Sequence, residues 1–301
     1  MTDQDNRPQG PETRPGETSE RLAGLLAPDE YVEQAYFYRV LSERLPQNVP
    51  IQELLMHVKE ELLSTTNLPM AIDFFLAEVR HTGTIGTAMA RLPHYFTSFQ
   101  TFVVQSAEDE RGRFDMRVAI EILRKEADMR RGKPSRPASF LYQFEVLSRN
   151  RLEYDRGLNS IAKDPIYDEP WREWINTVRR QLGLVDFAEM VYVRSLLFDR
   201  RVGRKEDDKP ALFGEKEGRI AMANRRKDPL FLFAAFQRQL NYPTVPRLKR
   251  IDENTNIVPQ LKKRIERLET RLKFLEEEQR KGAVDLSKFY NHPSVEPPPT
   301  P

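Results

Sequence analysis

Six prolines set the terms on which this chain can fold. Pro28, Pro50, Pro69, Pro170, Pro229 and Pro259 each stand at the head of a run of apolar residues. Proline suits the first turn of a helix, because its missing N–H has no intrahelical partner there. Gly83, Gly132 and Gly183 each follow such a run, where C-cap glycines stand. The runs themselves have helical spacing. Val32, Tyr36, Val40 and Leu41 share a face over 29–45; Ile51, Leu54, Leu55, Val58 and Leu62 do so over 50–65. Further runs occupy 69–81, 95–110, 114–131, 138–150, 170–182 and 185–199. Sustained alternation of β-branched residues is missing, and no Asn-Gly or Asp-Gly hairpin turn occurs. The expectation is an all-α fold: a multi-helix bundle body, a C-terminal coiled-coil-type helix and disordered termini.

The chain divides unevenly. Residues 1–27 hold too little apolar content to offset the entropy of ordering, and read as a disordered arm. Residues 28–150 read as an N-terminal helical bundle. Over 151–168 no clear period is seen, and Asp164-Pro165 interrupts it, so this stretch reads as a long connection. It introduces a second helical part over 151–250, with a basic zone at 199–250. A coiled-coil helix follows over 257–281, and a Pro-rich tail over 282–301 reads as extended.

The C-terminal helix has the most regular pattern. Val258, Leu261, Ile265, Leu268, Leu272 and Leu275 advance by alternating steps of three and four. That averages to the 3.5-residue seam of a coiled coil, narrower than the stripe of an ordinary surface helix. Val258, Ile265 and Leu272 take the a positions, and Leu261, Leu268 and Leu275 the d positions. In a parallel pair, Arg264 would meet Glu269 and Arg271 would meet Glu276, both attractive. Three heptads make a marginal helix in isolation. The seam therefore needs cover: a second copy in parallel, this chain's own bundle, or a foreign helix.

Composition limits the chemistry. With no cysteine, thiolate metal sites, disulfides and cysteine nucleophiles are excluded. The first 20 residues lack the apolar segment of a secretory signal, and no stretch reaches the ~18–20 apolar residues of a membrane span. A cytoplasmic protein without membrane contact is expected. The Phe-rich run 230–236 reads as buried core. No nucleophile elbow, dinucleotide fingerprint or phosphate loop is present, so no cofactor is expected and the chain reads as non-enzymatic.

Two other readings compete with an interaction or scaffold protein that binds itself or an unknown protein partner. Residues 199–250 hold 14 Lys and Arg against seven Asp and Glu. Arg200, Arg201 and Arg204, then Arg225, Arg226 and Lys227, then Arg247, Lys249 and Arg250 could neutralise phosphates of a nucleic acid. Glu206, Asp207 and Asp208 weaken the first cluster, and a solvated surface with internal ion pairs is the plainer account. A metal-dependent helical-bundle enzyme is the other reading. Glu78 and His81 have the Glu-x-x-His spacing of carboxylate-bridged metal bundles, and Glu53 lies one turn from His57. A second Glu-x-x-His is missing, and surface ion pairing explains such spacings more simply.

Overall fold

The computed structural model describes residues 26–47, 50–109, 114–203 and 209–247, and positions 265, 268, 269, 272 and 273. The Pro-rich tail and residues 1–25 of the arm lie outside the described residues. Every regular element among those described is helical. Two isolated bridges, Leu182–Val185 and Ser195–Phe213, have strand-like pairing.

The helices are α1 (Pro28–Arg44), α2 (Ile51–Glu61), α3 (Leu68–Thr82), α4 (Ile85–Ala90), α5 (Ser98–Glu108), α6 (Met116–Arg131), α7 (Arg136–Asn150), α8 (Tyr154–Ala162), α9 (Glu169–Gln181), α10 (Phe187–Val193), α11 (Leu196–Val202), α12 (Glu215–Ala223) and α13 (Pro229–Leu240). Pro28, Pro69, Pro170 and Pro229 occupy the first two helical positions of their helices, and Pro50 is the N-cap of α2. Polar caps open several helices, although α4, α8 and α12 start without a side-chain cap bond. Thr97 and Gln100 form a reciprocal capping box at α5. Ser135, Asp168 and Asp228 accept backbone N–H groups at α7, α9 and α13. Each such cap is worth about 1 kcal/mol. Gly83 ends α3 in the left-handed conformation, φ +73°, with its N–H donating to the Val79 carbonyl. Gly132 does not play that part. It stays at φ −80°, and Lys133 takes the left-handed position instead at φ +50°.

The stretch 151–168 is not a bare connection. Over Tyr154–Ala162 it forms α8, which buries Leu158, Ile161 and Ala162. The apolar set is too short to announce a helix by periodicity, and it works because the α8 backbone at Gly157 packs directly on the side chains of Leu147 and Phe102. A Cβ added at Gly157 would lie 2.6 Å from Leu147 Cδ2 and 3.2 Å from the Phe102 ring. Gly157→Ala is therefore expected to destabilise the fold by roughly 1–3 kcal/mol, the usual cost of overpacking a filled interior. Urea unfolding of the variant beside the native chain measures it.

The α1 stripe is also rotated from its expected position. Val32 is exposed and Tyr36 only half-buried, whereas Tyr31, Ala35, Tyr38 and Leu41 are buried. Polar residues account for the rotation. Glu30 accepts from the Asn67 backbone and side chain and from the Tyr95 hydroxyl, each at 2.8 Å. Glu33 accepts from the Leu63 N–H at 3.0 Å, and Gln34 meets Gln100 at 3.3 Å. A face paired by hydrogen bonds can be buried without being apolar.

The core runs without a break from Ala35 to Val245, and it does not part near residue 150. Its most extensive helix pairing is α1 against α6. An aromatic cluster knits the later helices together. Phe140 lies 4.9 Å from Trp174, Phe144 lies 4.3 Å from Phe187, and Phe213 lies 5.3 Å and 5.1 Å from Trp171 and Trp174. Phe213 reaches them from an extended segment held by the N–H of Leu196 and the carbonyl of Arg194. Residues through Leu248 form one unit and those from Lys249 a second.

The Phe-rich run is buried only in part. Leu232, Phe233 and Phe236 are in the core, but Leu230 and Phe231 are exposed. They sit in the first turn of α13, which starts at Pro229 before the helix reaches the core. Among the described residues no helix is long and apolar enough to cross a membrane.

Candidate functional site

Ile265, Leu268 and Leu272 are helical, and they are 53%, 56% and 57% exposed. Their steps of three and four put them on one side of the helix, with Glu269 and Lys273 beside them. Val258, Leu261 and Leu275 lie outside the described residues, as do Arg264, Arg271 and Glu276. Three large aliphatic side chains on one helical face, each more than half exposed, are surface that water disfavours and a partner helix can cover.

The basic zone is dispersed by its own ion pairs. Arg200 and Arg219 both pair with Glu215. Arg225 pairs with Glu189 at 2.6 Å, and its guanidinium lies 3.9 Å from the Tyr192 ring centroid. Arg201 donates to the Met222 sulfur at 3.0 Å. Arg200 and Arg201 thus reach from α11 to α12 and Arg225 from the α12–α13 loop to α10, while the Arg219 pair lies within α12. The Arg226 backbone N–H donates to Asp186 at 2.6 Å. The side chains of Arg226 and Lys227 have no ion-pair partner among the described residues. Arg204, Lys249 and Arg250 lie outside those residues.

The metal reading fares similarly. Glu53 and His57 line one shallow surface depression of about 440 Å³ with Glu60 and Glu61. Glu61, however, is held by Arg44 and by the Tyr36 hydroxyl at 2.8 Å, and these bonds keep its carboxyl below the usual range. Glu78 is occupied by Arg91 at 2.6 Å. Among the described residues, no three His, Asp or Glu side chains converge as a ligand set.

Two features escaped sequence reasoning. The first is a buried charge network. Arg130 on α6 pairs with Asp164, in the loop after α8, and with Glu126 at 2.9 Å. Gln143 on α7 donates to Glu126 at 3.0 Å and to Asp164 at 3.1 Å, and its carbonyl accepts from the Tyr167 hydroxyl at 2.8 Å. All five side chains are essentially buried. Burial pushes the Glu126 carboxyl up, with Arg130 and Gln143 pulling the other way and Asp164 reinforcing the rise. Asp164 pins the loop that α9 follows, so this network is a clamp at the centre of the bundle. Its only sequence signal is Glu126 and Arg130 at helical spacing, which surface pairs share.

The second is a groove between α4, α5 and α8, about 270 Å³ in volume, with a floor of Met89, Phe96 and Phe102. It draws on three separate segments, so no local spacing reveals it.

Comparison with protein-family models, with curated proteins and with solved structures found no match to this chain.

Proposed function

We propose that this protein is a non-enzymatic helical interaction protein that self-associates through its 257–281 helix, pairing in parallel with a second copy and so bringing two helical bodies together. The observation that carries the reading is the exposure of Ile265, Leu268 and Leu272 on a single helical face. An uncovered seam of this kind leaves a marginal helix without the burial that would stabilise it. A second copy supplies the matching seam and, in parallel register, the Arg264–Glu269 and Arg271–Glu276 pairs. Those exposed pairs set orientation and add little to affinity.

Light scattering on the full chain tests this directly. The expected mass is about twice the 35.3 kDa of one chain at micromolar concentration, declining toward one chain on dilution. A mass that stays at one chain across the whole concentration range would overturn the reading.

A further inference from the structure

Two helices bring polar stripes to the rims of the groove. On α5, Ser98, Thr101 and Gln105 are spaced three and four apart; on α8, Arg156, Asn159 and Ser160 are spaced three and one. Both sets therefore lie on one face of their helix. Gly157 is what lets α8 approach the Phe102 ring closely enough for the two faces to border one depression. Beneath them lie the buried side chains of Met89, Phe96 and Phe102.

The hydrogen-bonding state of these rims is informative. No carboxylate lines the groove. The Asn159 side-chain carbonyl accepts from Arg179 at 3.3 Å, which leaves its NH₂ group as a donor. Arg156 lies 6.0 Å from the Phe102 ring centroid. Arg156 is ion-paired with Glu153 at 3.6 Å, and both side chains are more than half exposed, so the pair is weak and a bound carboxylate can displace Glu153. The hydroxyls of Ser98 and Thr101 have no hydrogen-bond partner among the described residues. The Ser160 hydroxyl donates to the Gly157 carbonyl and the Gln105 amide to the Gly86 carbonyl, so the donors left around the aromatic floor are those of Ser98, Thr101 and Asn159, beside the exposed Arg156 guanidinium.

We propose that this groove binds a small carboxylate with a flat apolar body, the ring lying against Phe96 and Phe102 and the carboxylate meeting Arg156 and Asn159. A guanidinium matches a carboxylate through paired N–H donors. The volume sits just below the ~300 Å³ lower end of small-molecule sites, so the ligand is a compact one. This site is independent of the C-terminal seam, and its failure leaves self-association untouched.

The test is an NMR titration of the full ¹⁵N-labelled chain with 3-phenylpropionate. The cation of the same skeleton, 3-phenylpropylamine, is the control. The carboxylate should shift the amides of residues 98–105 and 156–160 and bind at least about tenfold more tightly than the amine, which is the worth of one charge-assisted hydrogen bond. Arg156→Met should remove that preference and leave thermal unfolding unchanged, since Arg156 is exposed. Arg156→Glu should reverse it. Equal binding of the two probes, binding indifferent to both substitutions, or no groove shifts at about 10 mM probe would each overturn the proposal.

Discussion

Arg130→Met is expected to cost about 3–5 kcal/mol of stability at neutral pH, among the largest effects of any single substitution in this chain. The cost comes from what remains behind. Asp164 and Glu126 are fully buried and would share an interior with no cation. Either two charges stay in a low dielectric, or two carboxyl groups take up protons against the pH of the solution. Adding Asp164→Asn and Glu126→Gln to Arg130→Met should recover most of the loss, because a neutral, well-packed substitute for a buried ion cluster is often no less stable than the original. Urea denaturation of the single and triple variants measures both numbers. If the triple variant is no more stable than Arg130→Met alone, stranded charge is not the cause.

The same network has a pH signature with a definite sign. Burial holds the Glu126 carboxyl above its ordinary 4.5. Between that value and the raised one, the folded chain keeps a proton that the unfolded chain has released. Stability therefore falls as pH rises through that window and levels off above it. Glu126→Gln keeps an acceptor for Arg130 and Gln143 but has no proton to lose. It should flatten that part of the profile and be at least as stable as the native chain at neutral pH. Urea midpoints taken between about pH 4 and pH 8 check this.

Helix positions were largely legible because proline and polar caps mark beginnings as local events. Pro28, Pro69, Pro170 and Pro229 announce α1, α3, α9 and α13 within two residues. What local pattern could not convey was partnership across the sequence. The α1 stripe turns because Glu30 finds Asn67 and Tyr95, at separations of 37 and 65 residues. Helix α8 exists because Gly157 fits against Leu147 and Phe102. The 185–199 run, which reads as one helix, breaks at Arg194 and Ser195, where the Arg194 carbonyl accepts from Leu212 and Phe213 and the Leu196 N–H donates to the Phe213 carbonyl. The candidate sites follow the same rule. The heptad candidate is one continuous segment, so its spacing is visible without the fold. The basic zone looked stronger in sequence than in space, because Glu189 and Glu215 reach its arginines only in the fold. The groove and the Arg130 network each need three segments at once, and no one-dimensional spacing encodes that.

Leu268→Asp is expected to convert the proposed dimer to a monomer. Leu268 is the central d position of the three heptads, so in a parallel pair it would face its own copy across the seam. The substitution removes two buried leucines per dimer. At ~1.5 kcal/mol or more for each, this weakens association by roughly a hundredfold before charge is counted. It also sets two carboxylates opposite one another in a desolvated seam, which adds a further cost of several kcal/mol. A marginal three-heptad pair has no reserve to absorb this. The body should be unaffected, since Leu268 is 56% exposed within the single chain; thermal unfolding of the body at low concentration serves as the control. Leu184→Asp offers a matched comparison, because Leu184 is 85% exposed but stands outside the seam. Its mass by light scattering should equal that of the native chain, while Leu268→Asp should give the mass of one chain at every concentration. If Leu268→Asp remains a dimer, the contact that joins the copies lies elsewhere on the surface, and the seam must be covered by something other than itself.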